Sequence, residues 1–243
     1  MQFFSISDTG KLRKNNQDFA IAKEVGSYTL LALADGMGGH SGGEVASSLA
    51  IEEISSVIES KLTDKMLPGQ IMLLLSEALE KANNKIREVS ENDHSLSGMG
   101  TTCDVCIATK SKLYAAHIGD SRVYKISKDG TIKKLTRDHS LVEFMIENGT
   151  ITPEEAENHP QKNVILQALG ISGDIEPDVF QEKISPCDVI LLCSDGLTNM
   201  LDEETIARAA ISGEKPSEIA KKLVGLANDA GGKDNITVVI ATA

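Results

Sequence analysis

Three features of this 243-residue chain predict an α+β fold of layered antiparallel sheets and helices. Short apolar strand segments come in groups, and helical periodicity comes in a consecutive pair between the first two groups. That grouping differs from the one-for-one alternation of a doubly wound parallel sheet. No repeat, low-complexity run or Pro/Gly/Ser-rich linker interrupts the chain, so a single domain over residues 1–243 is expected.

Residues 3–8, 19–23 and 28–34 read as strands broken by turn residues. A helix is expected from about Ser41, with Val45, Leu49, Ile54, Val57 and Ile58 recurring at helical spacing. A second helix gathers Ile71, Leu74, Leu75, Ala78, Leu79, Ala82, Ile86 and Val89 on one face. Glu77, Glu80, Lys81 and Lys85 occupy the other, as on a surface helix covering a core. From Thr101 the period shortens, and strands are predicted at 103–109, 113–118, 122–126 and 131–135, with Lys128-Asp129-Gly130 as a turn. The stretch from His139 to about Gly173 is broken by Gly149, Pro153 and Pro160, and residues 141–173 are expected to form a surface flap. A central strand at 189–193, a helix over 215–230 with Pro216 in its first turn, and a strand at 236–241 complete the chain.

Composition narrows the function. Lys and Arg number 24 against 36 Asp and Glu, a net charge of −12, which excludes a binder of nucleic acid or anionic membrane that works by clustered positive charge. Aromatic residues make up 3% and Trp is absent, so no stacking platform for bases is expected. A hydrophobic content of 41% rules out disorder. Met1 to Ser5 lack a basic n-region, the longest aliphatic run is far too short for a membrane span, and four cysteines do not make a disulfide framework. A cytoplasmic monomer is the expectation.

The chemistry is carried by aspartates at predicted strand ends, most of them near glycine: Asp18, Asp35, Asp120, Asp195 and Asp234. Three of them follow apolar strands, and a buried strand delivers its terminal residue to the mouth of the core. Desolvated carboxylates brought together repel and resist ionisation. A hard divalent cation resolves that conflict, and an all-oxygen donor set suits Mg²⁺ or Mn²⁺ rather than zinc. Gly36 carries no side chain to block its carbonyl, and Gly38-Gly39 lets backbone approach a ligand closely. On spacing alone, ordinary Asp-Gly turns fit these positions as well as a metal cluster does.

The ordered segments Arg13-Lys14-Asn15-Asn16-Gln17-Asp18, Asp35-Gly36-Met37-Gly38-Gly39-His40, Gly98-Met99-Gly100-Thr101-Thr102, Gly119-Asp120-Ser121-Arg122, Ser194-Asp195-Gly196-Leu197 and Asp234-Asn235-Ile236-Thr237 resemble the signature of the metal-dependent Ser/Thr protein phosphatases of type 2C, in their compact bacterial form. The resemblance runs from Asp8 to Val239. It implies a four-layer sandwich, two antiparallel β-sheets flanked by pairs of helices, with a flap segment. It also implies hydrolysis of phosphoserine and phosphothreonine in proteins without a phosphoenzyme, opposing a Ser/Thr kinase. By the same resemblance Asp35 bridges two Mn²⁺ or Mg²⁺ ions, the Gly36 carbonyl completes one, and Asp195 and Asp234 bind the other. Asp18 holds water beside the ions, Asp120 with Asp195 marks a third, weaker metal site, and Arg13 grips the substrate phosphate. His40, directly after the glycine run, is the candidate general acid.

Several residues have plainer readings. Arg13 in isolation is a surface arginine beside Lys11 and Lys14; its spacing to Asp18 favours the functional role. Cys103 and Cys106 fall on opposite faces of one predicted strand and read as packing. His117 reads as a satisfied core residue, and Arg122 as the partner of a nearby carboxylate. Gln167 stands where members of the family often carry Arg, a departure that bears on an auxiliary contact there and not on the metal cluster. A catalytically silent binding module is disfavoured because each expected ligand and Arg13 are present. A hydrolase of small phosphomonoesters or of phosphotyrosine is the other alternative.

Overall fold

The computed structural model describes residues 1–38, 42–171 and 173–243. Two antiparallel sheets lie face to face. The first runs in the order β1 (Gln2–Asp8), β11 (Ile236–Thr242), β10 (Val189–Cys193), β7 (Arg122–Ile126) and β8 (Ile132–Lys134). The second runs β2 (Asp18–Val25), β3 (Tyr28–Met37), β5 (Cys103–Ala108), β6 (Lys112–Ile118) and β9 (Asp178–Lys183), with the short β4 (Gly100–Thr101) paired to the end of β3.

Strand periodicity sorts the apolar side chains into three layers of core. On β3, Leu31 and Leu33 face the other sheet, while Leu30, Ala32 and Ala34 face α1 (Gly42–Lys61) and α2 (Pro68–Asn92). On β10, Ile190 and Leu192 point between the sheets, and Val189, Leu191 and Cys193 point to α6 (Glu203–Ala210) and α7 (Pro216–Asp229). Both sheets are therefore covered on both faces, which is why their central strands read as continuous apolar runs. This is the four-layer arrangement expected. Cys103 packs on the helical side and Cys106 between the sheets, as their odd spacing requires, and all four cysteines are free.

Strand β9 and helix α6 are among the elements that escaped the sequence reading. Strand β9 is an edge strand whose apolar residues are the adjacent Val179 and Phe180, which face opposite sides, so it shows no alternation and its signal is short and weak. Helix α6 has only eight residues. Its start is marked by Asp202, whose carboxylate accepts from the Thr205 N–H at 2.7 Å. The flap contains two short helices, α3 (Leu141–Glu147) and α4 (Pro153–Glu157), capped by Ser140 and Thr152. Its two ends pair with each other: Leu141 N–H donates to Val164 O and Leu166 N–H to His139 O, both at 2.8 Å. Among the described residues no helix is long and apolar enough to cross a membrane.

Glycine is required where segments cross. A Cβ on Gly196, which lies in the one-turn helix α5 (Asp195–Thr198) after β10, would sit 1.9 Å from the carbonyl oxygen of Asn235. Gly196→Ala is expected to lower stability by about 2 kcal/mol or more, because the obstacle is backbone and cannot rotate away. Gly225→Ala, in the exposed interior of α7 with open space around it, should stabilise by roughly 0.5–1 kcal/mol. Urea melts of the two variants against the parent check both signs.

Candidate functional site

All five aspartates arrive at one end of the two sheets. Asp18 opens β2 and is paired in register with Asp35 near the end of β3. Asp195 follows β10, Asp234 precedes β11, and β10 and β11 are neighbours. Asp120 sits in the turn from β6 to β7. The Asp35 carboxyl is consequently crowded by Asp18, Asp195 and Asp120, and Asp195 by Asp120, Asp234 and Asp18.

The electrostatic cost is legible in the proton affinities. Burial raises all four of Asp18, Asp35, Asp120 and Asp195 above the ordinary carboxylate range. Neighbouring carboxylates add to it: Asp35 is held well above that range, with Asp18 the strongest neighbour, and Asp195 is pushed up to about 7, with Asp120 the strongest. Asp120 is pushed up to about 6, again by burial first and then by Asp138.

Hydroxyl and amide side chains hold the carboxylates in place. Asp18 is 7% exposed, and its Oδ2 accepts from Thr237 Oγ1 at 2.6 Å and Ser194 Oγ at 2.8 Å. These donors belong to the first sheet and Asp18 to the second, so the contact ties the sheets together. Behind Asp35, Thr102 Oγ1 accepts from the Asp35 N–H at 3.0 Å, and Thr101 Oγ1 donates to the Asp35 carbonyl at 2.9 Å. Asn235 staples the N-terminal loop: its Oδ1 accepts from Gln17 N–H at 2.9 Å, and its Nδ2 donates to the carbonyls of Thr9 and Asn15, both at 3.0 Å. Ser194, Thr237, Thr102 and Asn235 lie inside the recognised segments, but spacing alone assigns none of them a role. Their partners are up to 226 positions away.

Arg13 rides on the stapled loop, and its Nη2 donates to Asp234 Oδ2 at 2.6 Å while about half its side chain is exposed. Gly36 is crowded rather than merely unobstructed. A Cβ there would lie 2.0 Å from the Gly43 carbonyl oxygen and 2.6 Å from that of Gln17, so the first turn of α1 and the loop before β2 both require glycine. His40, with Gly39 and Ser41, lies outside the described residues.

The donor set fits a hard divalent cation. Every donor is oxygen, the carboxylates repel one another, and the buried Oδ1 of Asp18 meets no hydroxyl or amide donor among the described residues, the Asp35 carboxyl being the neighbour with which Asp18 shares a proton. No three carboxylates among those residues are gathered into a ready-made cage. Two are engaged elsewhere, Asp234 with Arg13 and Asp195 Oδ2 with Asn199 Nδ2 at 3.0 Å. Mg²⁺ and Mn²⁺ suit such an open set, since Mg²⁺ in particular keeps several waters and takes few protein ligands. A cleft of about 550 Å³ opens beside the cluster, with Asp120 and Asp195 at one end and Val142, Ile146, Pro153 and Ala156 of the flap at the other.

The plainer readings hold at two positions. His117 is fully buried, with Nδ1 2.7 Å from Asp104 Oδ1 and Nε2 2.8 Å from the Arg137 carbonyl. Arg122 forks onto Asp138, Nη2 donating at 2.7 Å; burial pushes Asp138 up, but Arg122 outweighs it and leaves the carboxyl below its ordinary range. Gln167 makes a local contact, its Oε1 accepting from the Glu176 N–H at 3.0 Å.

Residues 11–223 match the family model described as Protein phosphatase 2C. The chain belongs to this family. As a 2C phosphatase it is an enzyme of the protein serine/threonine phosphatase class. It is 38% identical over 235 residues to the serine/threonine phosphatase stp of Listeria welshimeri, covering 96% of this chain and 92% of that one. Among solved structures it is similar to the S. agalactiae serine/threonine phosphatase, with a TM-score of 0.93 at 36% identity over 100% of this chain and 99% of that one. It is also similar to the catalytic domain of the phosphatase PstP in complex with two manganese ions. There the TM-score is 0.86 at 36% identity, over 99% of this chain and 97% of that one.

The crowding of charge in this phosphatase has a measurable consequence. Asp195→Asn removes one of the repelling carboxylates, so in chelator the variant should be more stable than the parent by roughly 1–2 kcal/mol. Thermal or urea melts in EDTA read this; a variant no more stable than the parent would show that the carboxylates do not strain the fold.

Proposed function

We propose that the protein hydrolyses phosphoserine and phosphothreonine in proteins, using water activated at an Mn²⁺ or Mg²⁺ pair held by the aspartate cluster. The observation that carries this reading is the mutual crowding of carboxyls contributed by both sheets, Asp18, Asp35, Asp120, Asp195 and Asp234, among which the buried Asp18 keeps one oxygen without a hydroxyl or amide donor. The family membership and the manganese complex of PstP support it.

Asp35, Asp195, Asp234 and the carbonyl of Gly36 would hold the two ions, with Asp35 shared between them. Asp120 with Asp195 would hold a third. The ions, when bound, lower the pKa of water toward neutrality and offset the charge on the phosphoryl group. Asp18, fixed by Ser194 and Thr237, orients water at the cluster through its free oxygen. Arg13 contributes a planar fork that can give two parallel hydrogen bonds to phosphate oxygens. It already stands beside Asp234, at the edge of the cluster where a phosphate would arrive. The departing serine or threonine oxygen needs a proton, and His40 is the proposed donor. Water attacks phosphorus directly, and no residue of the chain becomes phosphorylated. Residues 1–243 act as one catalytic unit with 141–173 as its flap, working on cytoplasmic phosphoproteins against a Ser/Thr kinase.

The test is release of phosphate from a phosphothreonine peptide with Mn²⁺ present. Activity should vanish in EDTA and return with Mn²⁺. Asp195→Ala and Asp35→Ala should each lower kcat by roughly 100-fold or more, about 3 kcal/mol of barrier, while the proteins stay folded by circular dichroism. Near-parental turnover in either would overturn the metal assignment. Arg13→Ala should act chiefly on KM, raising it about tenfold, as losing one charged hydrogen bond of about 1.5 kcal/mol would. A phosphotyrosine peptide turned over faster than the phosphothreonine one would overturn the substrate class.

A further inference from the structure

The turn that carries Asp120 is locked to the base of the flap through His139, whose ring meets that of His117 at a tilt of 54°, and the reaction itself uses neither histidine. His139 is 6% exposed and grips Gly119 at two points: its N–H donates to the Gly119 carbonyl at 2.7 Å, and its Nδ1 accepts from the Gly119 N–H at 3.3 Å. The carbonyl of the same residue accepts from Leu166 N–H, where the flap returns. One residue thus joins the entering flap strand, the returning one and the Gly119 backbone.

The chemistry of each contact assigns the protons. A backbone N–H only donates, so Nδ1 of His139 is the bare nitrogen and its proton sits on Nε2, facing Asp178 Oδ2 at 3.3 Å. The His117 ring lies with its centroid 4.8 Å from that of His139. Its Nε2 faces a carbonyl, which only accepts, so that nitrogen carries a proton, and Nδ1 shares another with Asp104. Burial works against charge on His117, but Asp104 outweighs it and raises the imidazole above its ordinary value; burial, then His117, hold His139 below it. The Gly119 contact requires only that Nδ1 of His139 carry no proton, and the neighbouring His117 works in the same direction by lowering the proton affinity of His139.

The far side of the turn reaches the reaction. Ser121 Oγ lies 2.7 Å from Thr102 Oγ1, which also accepts from the Asp35 N–H. Gly119 has φ +116°, and a Cβ there would be 2.5 Å from the Thr102 side chain, so the turn has no slack against Thr102. Displacing Gly119 would therefore disturb Asp120 directly and Asp35 through Thr102.

We propose that His139, seated on His117, is a positioning residue: it sets the Gly119–Ser121 turn from the base of the flap and so aligns Asp120 and Asp35 for the phosphatase reaction. The inference rests on the functional reading above for its catalytic consequence, but not for the lock itself.

Two substitutions separate positioning from bulk. His139→Asn keeps an acceptor at the Nδ1 position; His139→Gln moves the amide to the Nε2 position and leaves the Gly119 N–H without its partner. His139→Gln should lose about tenfold in kcat on both a phosphopeptide and a small aryl phosphate, with KM nearly unchanged. Its Gly119 amide should also exchange hydrogen faster by NMR. His139→Asn should stay within about threefold of the parent in kcat and keep that amide protected. Should His139→Gln fail to fold, Asp178→Ala, a change at a half-exposed side chain, should give about a threefold loss in kcat with faster exchange at Gly119. Equal losses in the Asn and Gln variants, parental kcat in His139→Gln, or an Asp178→Ala protein unchanged in both readouts would each overturn the proposal. A parental enzyme without phosphatase activity would defeat the functional reading alone, since amide exchange would still report the lock.

Discussion

Mutual repulsion among half-buried carboxylates is the constraint around which this molecule is organised. Left to electrostatics, Asp18, Asp35, Asp120 and Asp195 would separate or protonate, and their raised proton affinities record that pressure. They stay together because each is delivered by backbone that has no freedom to retreat. Asp35 belongs to a strand whose preceding residues are buried on both faces, and Asp195 directly follows another. The folding energy of two sheets and their helical covers is what holds like charges in one place, and a divalent cation is the chemically natural counterweight.

The scaffold handles the approach of so many segments with small residues and hydroxyls. Gly36 and Gly196 stand where another backbone passes too near for any side chain. Ser194 and Thr237 reach from one sheet to Asp18 on the other, Thr102 fixes the backbone of Asp35, and Asn235 draws in the loop that bears Arg13. Polar groups buried at this depth are tolerated because they satisfy one another. The same economy extends to the flap, whose base is joined through His139 to the turn beside Asp120.

Fold and site were unequally legible. Long buried strands and the strongly periodic α2 announce themselves, because burial on one or both faces leaves a run or a stripe of apolar residues. Strand β9 and helix α6 did not: one is an edge strand of mixed character, the other too short for periodicity to accumulate. Cys103 and Cys106 show how far alternation alone reaches, since it assigns them to opposite faces and the structure agrees. For the site, the aspartates were visible as residues at strand ends, whereas the donors that hold them were not, because serine and threonine occur everywhere and only proximity distinguishes these.

By itself the sequence determined the layered antiparallel architecture, the acidic character and the identity of the carboxylates that meet, since each follows from composition, periodicity or a short ordered motif. Tertiary structure alone decided that Arg13 pairs with Asp234, that Gly36 is demanded by Gly43 and Gln17, and that two histidines bind the flap to the turn at Asp120. The reason is distance along the chain. Periodicity and motif spacing report on neighbours within a turn or a strand, whereas these contacts join separate elements, 20 positions apart for Gly119 and His139 and 221 for Arg13 and Asp234, that only the folded chain brings together.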